Sequence, residues 1–272
     1  MSRLVFRMMS VPGLLLAGLA LCQTVAFADV SLTLTGTNNN SEGGVYTSPY
    51  LISVNNSSSS QWLVCDDFET DISIGDSWTA EVNSVSSAAT GGKFKAPASP
   101  TYTYLNTTDS LAQDYEAAAL LAVQILQHPL DNSGTNEDYS YALWNIFDTN
   151  AIPTLANSDS GDATTALAYE TEALTWAQNP SNTSGLSSEL AADVSLVNDV
   201  VIYTPVDANG AVIPPGVPYT SGGSGASQEF FGLSNPVPEG STVAFLLFDF
   251  LVALGAFFML RKRLVRHSTA KS

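Results

Sequence analysis

Cys65 is followed at once by Asp66 and Asp67, then by Glu69 and Asp71, which puts a thiol and a run of carboxyl groups into one short stretch. If a strand continues through it, the two-residue period places Asp67, Glu69 and Asp71 on one face. Carboxylates gathered in this way are hard oxygen donors of the kind calcium takes. The stretch lacks the glycine and the spacing of a calcium-binding loop, so a solvated strand end is the plainer expectation. Calcium is the one candidate ligand, and no other cofactor is expected. Asn157, Asp159 and Asp162 around Gly161 form a second and weaker calcium-like loop. A lone cysteine is a buried small hydrophobe, half of a bond between chains, or a reactive thiol. The first is expected for Cys65.

His128 is the one histidine between residues 29 and 236, so a metal site with several histidine ligands is excluded there. A Cys65–His128 nucleophile and base is the one thiol-based arrangement the sequence leaves open. The simpler role for His128, just before Pro129, is to complement a helix C-terminus. Paired carboxylates also serve glycoside hydrolysis. Acidic residues are so frequent here that finding a pair carries no information, and no enzyme is expected.

Between residues 29 and 236 only Lys93 and Lys95 are basic, against 24 acidic residues. The whole chain has a formal net charge of −17 because its other basic residues gather at the two ends. Such a surface repels phosphate backbones, so nucleic-acid binding is excluded. Anionic lipids and acidic polysaccharide are repelled as well unless divalent cations bridge. Aromatic residues occur throughout, which argues for a packed core.

The elements that must position these groups follow from periodicity. Val30–Leu34, Val45–Val54 (interrupted by Pro49), Trp62–Cys65 and Trp78–Val82 read as short strands joined by polar turns. Four helices follow. The first runs from Ser110 to Gln127, with Leu111, Tyr115, Ala118, Ala122 and Ile125 on one face and Leu121 and Leu126 broadening it. The others cover Glu137–Asp148, Ala163–Ala177 and Ser187–Val194. Strands return at Val200–Tyr203 and Ala211–Ile213, around the Asn209-Gly210 turn. Gln228–Phe231 reads as a last edge strand. The fold class is α+β: an antiparallel β-sheet or open barrel with an inserted cluster of about three to four helices.

Both ends carry targeting features. Arg3 and Arg7, an apolar stretch from Val11 to Val25, and Ala26-Phe27-Ala28 read as a secretory signal peptide over 1–28, cleaved after Ala28. Cys22 would allow a lipoprotein reading, but Leu21 before it is too bulky. An exported domain then covers 29–231 and a linker with a short motif covers 232–242. An apolar run over 243–260 reaches about 27 Å at the helical rise, close to a bilayer core. Asp249 lies near its middle. The tail 261–272 opens with Arg261, Lys262, Arg263 and Arg266, a stop-transfer cluster that holds the C-terminus in the cytoplasm. A plain single-pass anchor would account for this end on physical grounds alone.

The order Val237-Pro238-Glu239-Gly240-Ser241-Thr242, apolar span and arginine-rich end resembles the PEP-CTERM sorting signal of bacteria that make extracellular polysaccharide. Gly240 stands where that family has a second proline. The resemblance implies an exosortase-type sorting enzyme as partner, acting at or near this motif. It also implies an inner-membrane intermediate held by the C-terminal helix, then a cell-surface or extracellular location, with exopolysaccharide as a candidate neighbour.

A second resemblance covers roughly 44–148. A cysteine on a strand, a tyrosine-bearing helix, and Tyr139-Ser140-Tyr141-Ala142-Leu143-Trp144 look like the thioester domains of surface adhesins. There the strand cysteine is linked to a glutamine just before an Ala-Ile-Trp-like segment. Cys65 matches the cysteine and Ala142-Leu143-Trp144 the segment, but Ser140 stands at the glutamine position. A hydroxyl offers no acyl group, so the resemblance implies a fold without the thioester. The expected function is a non-enzymatic surface or matrix protein. The alternatives are an adhesin-like binding module with calcium as candidate ligand and, behind it, an enzyme acting on surface polysaccharide.

Overall fold

The structure, a computed structural model, describes residues 29–68, 70–95, 110–131, 133–215 and 227–234. Ala26 and Ala28, the motif Val237–Thr242, the span 243–260 and the cluster Arg261, Lys262, Arg263 and Arg266 lie outside the described residues. Among the described residues no helix is long and apolar enough to cross a membrane.

The fold is α+β. Six antiparallel strands close a barrel: β1 (Val30–Thr37), β4 (Tyr50–Val54), β5 (Ser60–Cys65), β8 (Phe230–Leu233), β7 (Val200–Val206) and β6 (Ser77–Ser84), in that spatial order. β2 (Ser41–Glu42) and β3 (Val45–Tyr46) form a separate hairpin. Alternation decides which side chains turn inward. Leu32, Leu34, Ile52, Leu63, Cys65, Trp78, Ala80 and Phe230 fill the barrel. Trp78 stacks on Phe230 with ring centroids 5.7 Å apart. The opposite face of β5, β7 and β8 presents Val64, Ile202 and Phe231 to the helices.

The barrel is closed rather than open, and β8 is the reason. Instead of an edge it lies between β5 and β7, pairing Cys65 with Phe230 and Ile202 with Phe231. Gly232 permits this insertion, because a Cβ there would sit 2.5 Å from Leu63 Cδ2. Ala211–Ile213 supplies only an isolated bridge, Val206 to Val212.

Among the described residues six helices pack outside the barrel: α1 (Val85–Gly91), α2 (Leu111–Gln127), α3 (Thr135–Phe147), α4 (Ala151–Ser158), α5 (Ser160–Ala177) and α6 (Ser188–Asp193). All lie between β6 and β7 in the chain. The sequence pattern missed α1, which is built from small residues, and α4, whose Pro153 sits in the first turn where proline costs little. Ser110 and Gln113 close a capping box at the start of α2. Leu120, Leu121, Ala122 and Val123 are successive and fully buried. α2 is therefore enclosed on all sides by helices and by β8, rather than buried along one stripe. Asp159 caps α5, accepting from the amides of Gly161 (2.7 Å) and Asp162 (3.1 Å). The suspected loop around Gly161 is thus a helix N-terminus, and its central carboxylate is committed to backbone.

Candidate functional site

β5 ends at Cys65, so Asp67, Glu69 and Asp71 do not continue on one strand face. Asp66 and Asp67 turn into a buried seam between the barrel and the helices, and Asp71 is exposed. Glu69 lies outside the described residues. Among the described residues no three histidine, cysteine or acidic side chains are arranged to hold a metal ion.

The seam is assembled from distant parts of the chain. The segment after α1 brings in Lys93, the approach to β8 brings Ser227, Gln228 and Glu229, β7 brings Thr204 and α2 brings Tyr115. The Lys93 ammonium is in direct contact with the Asp67 carboxylate, and both side chains are fully shielded from solvent. Lys93 Nζ also donates to the Ser227 carbonyl at 2.8 Å. The carboxylate of Glu229 accepts from the Lys93 amide at 2.8 Å, from the Tyr115 hydroxyl at 2.6 Å and from the Thr204 hydroxyl. Asn83 donates to Thr204 Oγ1 at 3.3 Å. Gly92 lets the backbone come this close, since a Cβ there would overlap the Tyr115 hydroxyl.

Asp66 is 1% exposed, and neither carboxyl oxygen accepts a hydrogen bond from a protein donor. Burial first, then the nearby Glu229 carboxylate, pushes its pKa well up. Both effects favour the protonated form of Asp66. That form limits the negative charge around Lys93, as a site shut off from water requires.

Cys65 is fully buried. Burial first, then the neighbouring Asp67 carboxylate, raise its pKa well above the ordinary thiol value, so it stays protonated and unreactive. Its Sγ lies 3.4 Å from the Asp67 carbonyl and 3.3 Å from the Asp67 amide nitrogen. His128 caps α2 on the exposed surface and is not brought to Cys65. Ser140 is linked to Cys65 only through Ser48. The Ser48 amide donates to Ser140 Oγ at 3.1 Å, and the Cys65 amide donates to Ser48 Oγ at 3.0 Å. Gln124 points away, to the Glu189 carbonyl and Asp193. The glutamine that reaches the seam is Gln228, whose Nε2 donates to the carbonyls of Asp67 and Thr70.

Sequence reasoning missed Lys93 and Glu229 altogether. The available signal was Lys93 itself, a rare basic residue between Gly91-Gly92 and Phe94. In so acidic a chain, a cation among glycine and aromatic residues is placed to meet a buried carboxylate.

A separate surface groove of about 550 Å³ is lined by His128, Tyr139, Tyr169, Glu189 and Asp193 among others. Tyr139 and Tyr169 stack with centroids 4.2 Å apart. Comparison with protein-family models, with curated proteins and with solved structures returns no match to this chain. The molecule is thus defined by its own architecture: a closed six-stranded barrel clasped by helices around a sealed, charged seam.

Proposed function

We propose that this chain is a non-enzymatic exported protein of the cell surface or extracellular matrix. It is sorted through its C-terminal segment by an exosortase-type enzyme and comes to rest among exopolysaccharide. The observation that carries the non-enzymatic part is burial. The thiol, the amine and the carboxyl groups of the seam lie where no substrate reaches them, so they act on the fold. The addressing part rests on the end segments, and the acidic, Ser/Thr/Asn-rich composition suits a hydrated matrix.

The test is the intact mass, with mapped termini, of the protein from its own cells, with and without the sorting enzyme. Loss of the residues after the Val237–Thr242 motif only when the enzyme is present is the expected result. An unprocessed span and basic tail in both strains would reduce the protein to an ordinary anchored domain.

A second reading, an adhesin-like binding module, is favoured by the groove beside Tyr139 and Tyr169. The half-buried ring of Tyr169, backed by the buried Tyr139 and set beside carboxylates, suits a sugar ring with its hydroxyls. Calcium is a candidate ligand for such a module, and a calcium-dependent rise in Tm would favour it.

A further inference from the structure

We propose that Lys93 and Asp67 form an intramolecular isopeptide bond, in which Lys93 Nζ condenses with Asp67 Cγ. The reactants already touch, 26 positions apart in the chain, with both side chains fully shielded. Each is fixed from more than one direction. The Lys93 main chain is held by Glu229 and its Nζ by Ser227, while the Asp67 main chain is held by its amide against Cys65 Sγ and by its carbonyl, which accepts from Gln228 Nε2. Aromatic rings close the surroundings. Phe94, adjacent to Lys93, stacks on Phe147 with centroids 4.2 Å apart, and Tyr115 packs against Phe147 and Phe231. Two groups held in this way react as if at very high concentration.

The balance closes within the pair. The ammonium gives up one proton, which frees the lone pair of Nζ to form the bond to Cγ, and a second proton leaves the nitrogen once that bond has formed. One C–O bond of the carboxyl group breaks, and its electron pair leaves with the oxygen. The two protons join that oxygen, so one water is released and no outside reactant is consumed. One positive and one negative charge become a neutral amide. Burial favours this outcome, because an ion pair away from water carries a desolvation penalty that an amide does not. The expelled water does not return to a dry site, which opposes hydrolysis.

A proton carrier is needed, and the seam holds one that nothing else in the fold uses. Asp66 is buried without a protein donor to either oxygen, beside Glu229. As an acid it protonates the departing oxygen, and it is recharged by a proton from the nitrogen. Asp66 is therefore the proton donor of the reaction, and Glu229 and Tyr115 are positioning residues. The bond ties the end of β5 to the segment after α1 and encloses β6 and α1 in a covalent loop.

The experiment uses the full chain, purified with its termini mapped, for intact mass and for chymotryptic peptides. The expected result is a mass one water below the sequence mass, and a branched peptide joining the Lys93 and Asp67 segments. Lys93→Met should restore the full mass. Because that variant leaves a carboxylate buried, Lys93→Met combined with Asp67→Leu serves as a second uncrosslinked form. Asp66→Asn should fold, by circular dichroism, yet form the branched peptide at least about a hundredfold more slowly, the usual scale of general acid catalysis. Lys93 and Asp67 found in linear peptides from a folded wild-type chain would overturn the bond. So would a deficit of one ammonia with Cys65 joined to Gln228. An Asp66→Asn chain that links at the wild-type rate would overturn the role of Asp66. Each readout concerns the exported domain and is independent of how the C-terminal segment is processed.

Discussion

The indole Nε1 of Trp144 donates a 2.9 Å hydrogen bond to the carbonyl of Cys65. That bond joins the middle of the helical layer to the last residue of β5, where the chain leaves the barrel and turns into the charged seam. Phe68 and Tyr141 pack their rings against the same indole, with centroids 5.5 and 5.1 Å away. Trp144 thus fixes the direction in which Asp66 and Asp67 depart.

Trp144→Phe keeps most of the aromatic packing and removes the donor. A buried carbonyl left without a partner costs about 1–3 kcal/mol. Urea unfolding followed by circular dichroism should show a loss of that size. A variant as stable as the wild type would mean that the carbonyl finds another donor and that Trp144 does not orient the seam.

Cys65 should behave as an inert thiol. In the folded protein at neutral pH, iodoacetamide should leave it unmodified for hours, and in denaturant it should be alkylated at the rate of a free cysteine. Rapid native labelling would show that the barrel opens at the end of β5.

Gly43 carries the turn of the small hairpin with φ +61°, a left-handed conformation that costs a residue with a Cβ about 1 kcal/mol or more. A Cβ there would also meet the Tyr141 hydroxyl, which donates to the Glu42 carbonyl at 2.8 Å. Gly43→Ala should therefore be destabilising by about 2 kcal/mol. Combined with Tyr141→Phe, it should cost less than the two changes summed, because the second removes the atom the first collides with. Strict additivity would place the hairpin away from α3.

The parts of the fold visible in the sequence were those with local causes. The Leu32–Leu34 alternation, the Ser110 start of α2 and the stop after Ala177 all come from side chains acting on their own backbone. Closure of the barrel was not visible in this way. It depends on Phe230 and Phe231 meeting β5 and β7, and on a missing side chain at Gly232. The same limit applies to the seam. Asp66 and Asp67 stand out as a pair of acids after a strand, but their meaning comes from Lys93 and Glu229, which only the folded chain brings to them. The reading of Asp67, Glu69 and Asp71 as one face failed because it assumed a strand beyond Cys65.

Stability should fall as pH rises through the weakly acidic range, and Asp138 is the most exposed to this test. Its carboxyl pKa is pushed from 3.8 up to about 7, by burial first and then by the charge of Asp162, with Glu137, Asp159 and Glu42 adding to it. Glu170 is raised in the same direction to about 6 by burial, against the lowering effect of its hydrogen bond from Asn145. A carboxyl group with a raised pKa in the folded state binds its proton more tightly there than in the unfolded chain. Its contribution is fully present below the unfolded pKa and is lost as pH climbs to the folded value. For Asp138 that window runs from about 4 to about 7. Because Asp138 is half-buried, solvent screening reduces the size of the effect without changing its sign. Tm measured across this range should decline with pH, and Asp138→Asn should flatten the decline while raising Tm at neutral pH. A flat wild-type profile, or an Asn variant that melts lower at neutral pH, would mean that the acidic groups around the start of α3 do not repel one another in solution.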